Sequence, residues 1–148
     1  MNSLISILPA LIVFGILIIV HEFGHFLACR FSKVRVEKFS IGFGPELLHW
    51  QSGETRFSIS LFPLGGFVSP AGEEASKVGP EGPKPGDFLA APVLSRILIV
   101  VSGVAMNYVL AFVVFWAVFM IGRQMPGTVV GGFVKGYPAE ASPLKVRD

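Results

Sequence analysis

Two long apolar runs organise this sequence. No charged residue occurs from Leu4 to Val20, and none from Ile97 to Ile121, a run bracketed by Arg96 and Arg123. At about 1.5 Å of rise per residue, such runs cross the ~30 Å hydrocarbon layer of a bilayer as helices. The pattern predicts one transmembrane helix over 4–31, continuing through the polar stretch VHEFGHFLACRF, and a second over 97–121. A cleaved signal peptide is the other reading of the first run. It lacks a basic start, it exceeds the usual ~7–15 apolar residues, and no small-x-small site precedes His21. Pro9 falls near the helix start, where a missing N–H costs little.

Between the runs the period changes. RFSISLF (Arg56–Phe62) alternates polar and apolar residues, as a half-buried strand does. VRVEKFSI (Val34–Ile41) is rich in β-branched and aromatic residues, and glycines punctuate the chain between Gly42 and Gly66. A small antiparallel β element over 34–68, lying near the membrane face, is expected. A loop biased to Pro, Gly and Glu comes next over 69–92. The tail from about residue 126 predicts a strand (Thr128–Val134), a turn and a short helix, which is the opening of a domain.

Basic residues orient the chain. None precedes the first run, whereas Arg30, Lys33, Arg35 and Lys38 come after it and Arg96 precedes the second. The positive-inside rule then places residues 30–96 in the cytoplasm and both chain ends outside.

Composition agrees with a membrane protein. Of 148 residues, 52% are hydrophobic and 15% charged, against ~25% charged in soluble domains. A net charge of +2, without a basic cluster interleaved with aromatics, gives no reason to expect nucleic acid as a partner. Cys29 is the single cysteine, which excludes an intrachain disulfide and a cysteine-based zinc site.

HEFGH therefore stands out, because ionisable side chains in a membrane span are expensive and usually functional. On a helix His21 and His25 share one face and suit a single Zn2+ ion, while Glu22 is placed to act as general base on an attacking water. Zinc sites that keep an open position usually have three protein ligands. His49, in the β region, is expected to be a surface residue rather than the third.

HEFGHFLACRFSKVRVEKFSIGFGP resembles the first helix and subsequent strand of the site-2 proteases, the intramembrane zinc metalloproteases. The likeness is to the branch of the bacterial regulator of sigma-E protease. FPLGGFV (Phe62–Val68) is similar to that family's Pro-Leu-Gly-Gly stretch. VSGVAMNYVLAF (Val101–Phe112) resembles its second-helix motif, with Val104 where proline is usual. VGGFVKGYPAEASPL resembles the start of its inserted PDZ domain.

The resemblance implies His21 and His25 as zinc ligands and Glu22 as catalytic acid/base. It implies Asn107 beside the site, binding substrate backbone or steadying the oxyanion. It also implies a bacterial inner-membrane location, residues 1–122 as the N-terminal part of the protease domain and 126–148 as an incomplete PDZ-like start. The implied partners are the bilayer and transmembrane substrates of the anti-sigma-factor or residual-signal-peptide type. The family's third ligand is an aspartate in a later helix, and neither Asp87 nor Asp148 is in its context. The expected reading is thus the N-terminal portion of an intramembrane endopeptidase, its third ligand supplied by further chain or by a partner. The alternative is a catalytically incomplete membrane fragment that binds metal weakly or acts through a partner chain.

Overall fold

The computed structural model describes residues 2–74, 76, 78–122 and 131–141. Helix α1 spans Asn2–Phe31, strand β1 Val36–Ser52, strand β2 Thr55–Pro70 and helix α2 Val93–Ile121. Short 3-10 turns cover Phe88–Ala90 and Pro138–Ala141. The chain divides into two compact units, Met1–Val114 and Phe115–Asp148. Ile7–Phe31 and Val93–Ile121 are long and apolar enough to cross a membrane, with mean hydropathies of 2.3 and 2.5 over an 18-residue stretch of each. Their side chains suit lipid: Ile12, Phe14, Val100 and Phe112 are all more than half exposed.

The C-terminal end of α1 is closed by its own backbone. Val34 N–H donates to the Cys29 carbonyl (2.8 Å) and Lys33 N–H to that of Arg30 (3.2 Å), with Lys33 in the left-handed region at φ 56°. This is the Schellman arrangement, which satisfies end carbonyls and turns the chain into β1. Val34 and Cys29, the two residues it brings together, are buried with Ala28, Val36 and Ile99. Phe26, Val68, Phe88 and Ala91 pack around them, so one small core joins both helices to the sheet. The Phe26 ring also meets Phe39 (5.5 Å between centroids) and Phe57 (5.7 Å) edge-on.

The strands are longer than their alternation predicts, and FPLGGFV lies inside β2. Near the Gly53–Glu54 turn, Ser52 opposes Thr55 and Trp50 opposes Phe57; at the far ends Ile41 opposes Gly66 and Val36 opposes Pro70. Bends at Gly42 (φ 86°) and Gly44 (φ 90°) fold the hairpin over, which glycine allows without strain. Phe39 therefore lies beside Phe57 as well as Val68, and Ser40 beside Ser58 as well as Phe67. Glu46 fastens the fold, accepting from Lys38 Nζ and Arg56 Nη2, each at 2.6 Å. Those two hydrogen bonds hold its carboxyl at about 2 rather than 4.5. Phe43, Leu47, Leu48, Trp50, Leu61 and Phe62 leave the folded hairpin with an exposed apolar rim.

Four expectations are adjusted. Helix α2 begins at Val93 rather than at 97, directly after Pro92, whose carbonyl accepts the N–H of Arg96. The loop over 69–92 includes the 3-10 turn at Phe88–Ala90. Of the strand expected over Thr128–Val134, residues 128–130 lie outside the described residues, and 131–134 carry no regular structure. A strand persists by pairing, and no strand among the described residues pairs with them. The short helix expected after the turn is the 3-10 turn at Pro138–Ala141.

Candidate metal centre

His21, Glu22 and His25 lie on the half-buried part of α1, past the apolar run. The four-residue spacing puts both imidazoles on one side of the helix, and their Nε2 atoms converge to 3.2 Å. Two nitrogens on one tetrahedral zinc, each about 2.0–2.1 Å from it, would stand about 3.3–3.4 Å apart. The separation of the pair is close to that spacing, as two ligands of a single ion require. The rings meet edge to face, with centroids 4.8 Å apart and planes at 78°.

Helix α2 supplies the groups behind the rings. His25 Nδ1 lies 2.7 Å from the Ile99 carbonyl, an oxygen that also accepts the Ser102 hydroxyl at 2.6 Å. A ring N–H donated to a main-chain carbonyl leaves the opposite nitrogen with a free lone pair, the form a metal needs. His21 Nδ1 lies 3.5 Å from Asn107 Nδ2, and Asn107 Oδ1 is buried without a donor. Between these contacts comes Gly103. A Cβ there would collide with Nε2 of both histidines, 2.6 Å from that of His21. The helices approach this closely because Gly24 faces the Ser102 carbonyl, which would be 2.5 Å from any Cβ at residue 24.

Glu22 is half-buried beside the pair and borders two clefts. One is lined by Phe14, Leu17, Ile18, His21 and Asn107. The other is lined by His25, Phe67, Val68, Pro70, Phe88 and Ile99 among others. Strand β2 passes close by: a Cβ on Gly66 would stand 3.4 Å from Glu22 Cγ.

No cluster of three or more His, Cys, Asp or Glu side chains that could hold a metal ion occurs among the described residues. His49 is exposed and lies 3.9 Å from Glu46, on the folded hairpin. Asp87 is committed elsewhere, accepting the Lys84 N–H at 2.8 Å and Arg35 Nη2 at 2.6 Å. The Lys84 bond and then the Arg35 guanidinium hold its carboxyl below the usual range. Sequence reasoning named the three HEFGH residues and Asn107 but neither the Ile99 carbonyl nor the part of Gly103. A backbone carbonyl leaves no side-chain signal. The four-residue spacing of 99, 103 and 107, matching that of 21 and 25, was the available one.

Similarity to known proteins runs along the same lines. The model of Peptidase family M50 matches residues 9–144. Protease RseP of Yersinia pestis is 42% identical over 134 residues, which are 88% of this chain and 29% of that protein. A protein of Clostridium acetobutylicum named "Putative zinc metalloprotease" is 37% identical over 147 residues, 99% of this chain and 41% of its own. One of the same name from Thermotoga maritima is 37% identical over 132 residues, 88% of this chain and 26% of its own. The chain therefore spans well under half the length of these relatives. The match takes in both helices and the sheet between them, and on that ground the chain belongs to peptidase family M50.

Proposed function

We propose that this chain is the N-terminal part of an intramembrane zinc endopeptidase that cuts membrane proteins in or near their transmembrane segments. The observation that carries the reading is the 3.2 Å convergence of His21 and His25 Nε2, beside Glu22, on a helix of membrane-spanning length. His21 and His25 hold the zinc, and a third ligand comes from chain beyond residue 148 or from a partner. Bound zinc supplies Lewis acidity, easing deprotonation of water and polarising the scissile carbonyl. Glu22 takes the proton of the attacking water and returns it to the amine as the peptide bond breaks.

A transmembrane helix must open before its peptide bond can be reached. Strand β2 runs past Glu22 at Gly66, so an unwound substrate segment added to the sheet would lie within reach of the general base. The apolar rim of the hairpin suits a position at the membrane face. Residues 30–96 are cytoplasmic in a bacterial inner membrane, with both ends of the chain outside and a PDZ-like domain beginning at about residue 126. Substrates are of the anti-sigma-factor or residual-signal-peptide type.

Cleavage of a membrane-embedded reporter by the full-length protein tests this reading. Glu22→Gln is expected to lower the rate about 10²–10⁴-fold while zinc stays bound. Cleavage at the wild-type rate would remove Glu22 from the reaction.

A further inference from the structure

Ile99, Gly103 and Asn107 are four residues apart and form one row along α2. The row meets the histidines in order. The Ile99 carbonyl is at His25 Nδ1, Gly103 faces the paired Nε2 atoms, and the Asn107 amide is at His21 Nδ1. For both Nε2 atoms to offer lone pairs, each neutral ring must carry its hydrogen on Nδ1, and each N–H needs an acceptor. His25 has the Ile99 carbonyl at 2.7 Å.

At His21 the group in reach is the carboxamide of Asn107, whose oxygen is buried and lacks a donor. The two ends of a carboxamide are nearly alike in size, so a half-turn about its terminal bond exchanges them with little change of shape. That turn sets Oδ1 opposite the ring N–H and meets the needs of both.

We infer that Asn107 is the positioning residue of His21, its amide oxygen accepting the Nδ1–H and thereby fixing the tautomer that presents Nε2 to the metal. This deepens the protease reading and rests on it. It gives Asn107 a role behind a ligand instead of the contact with substrate that the resemblance implies. The two histidines are then oriented from the same helix, His25 by main chain and His21 by side chain.

The test is the zinc affinity of the full-length protein in detergent, measured by competition with a chelator, alongside the visible absorption of its Co2+ form. Asn107→Leu keeps the approximate size and removes the acceptor; its affinity is expected to fall about 10–100-fold and its Co2+ bands to shift. Asn107→Asp keeps an acceptor and is expected to restore both towards wild type. Asn107→Ala repeats the loss should the leucine variant misfold.

Unchanged zinc affinity in the leucine and alanine variants overturns the inference. So does an aspartate variant as weak as leucine. Cleavage lost at full zinc affinity overturns it as well, and returns Asn107 to the substrate. A wild-type protein that takes up no zinc is a separate result, which removes the protease reading itself and this inference with it.

Discussion

The Nδ1 atom of His25, on α1, lies 2.7 Å from the main-chain carbonyl of Ile99, on α2. This contact makes the second long apolar helix part of the candidate site. A helix carrying HExxH can place two imidazoles on one face by itself, but it cannot choose their tautomers. Here a neighbouring helix makes that choice with a carbonyl whose position is set by backbone packing. Ile99 is itself 3% exposed and belongs to the core joining both helices to the sheet. Disturbance of that core should therefore reach the site.

The clearest consequence concerns Gly103. A methyl group there would occupy the space where the two Nε2 atoms converge. Gly103→Ala in the full-length protein is expected to reduce zinc affinity at least about 10-fold, comparable to loss of an outer-shell partner. Alanine is a better helix former than glycine by about 1 kcal/mol, so the helix itself should not suffer. Chelator competition together with helicity by circular dichroism separates the two effects. Zinc bound as tightly as in wild type would show that α2 does not approach the histidines this closely.

Acid should loosen the folded hairpin through Glu46. Its carboxyl is lowered from 4.5 to about 2, first by the hydrogen bond from Lys38 and then by that from Arg56. A group with a depressed folded pKa contributes stability above its unfolded value and loses it as pH falls towards the folded one. Thermal stability relative to Glu46→Gln is thus expected to be constant above about pH 5 and to shrink between 4.5 and about 2. A difference independent of pH across that window would mean that the carboxylate is not held by these cations. Asp87 acts in the same direction and is left unchanged in the comparison.

Orientation can be read by labelling a cysteine on the hairpin. The native Cys29 is completely buried and gives little background. Ser58, in the middle of the strand pattern, is 1% exposed and would be silent, whereas Gln51 is exposed beside the turn. Gln51→Cys is expected to react with a membrane-impermeant thiol reagent only when the reagent has access to the cytoplasmic side. Reaction in intact cells with reagent outside would reverse the orientation drawn from the basic residues.

Both long apolar helices were legible in the sequence because each rests on a local feature, an unbroken apolar run long enough to cross a membrane. The end of α1 near Phe31 was legible too, since the charge and polarity change there. The convergence of His21 and His25 could be read because it depends on spacing within one helix. The β element was expected to reach residue 68. That a single strand continues from RFSISLF through FPLGGFV could not be read, since FPLGGFV neither alternates nor stands apart from its apolar neighbours. The folding over of the hairpin depends on Gly42 and Gly44 together with the distant pairing of Phe39 with Phe57 and Val68. Ile99 was invisible as a site residue because its contribution is a carbonyl, the same for every residue type.

The proposed chemistry requires His21 and His25 to share one zinc ion. The most direct measurement is the zinc content of the full-length protein purified from membranes, compared with His21→Ala, His25→Ala and Glu22→Gln. One zinc per chain is expected in the wild type and in Glu22→Gln, with loss of bound zinc in either histidine variant. Zinc retained in full by His21→Ala or His25→Ala would contradict the site drawn from their 3.2 Å convergence.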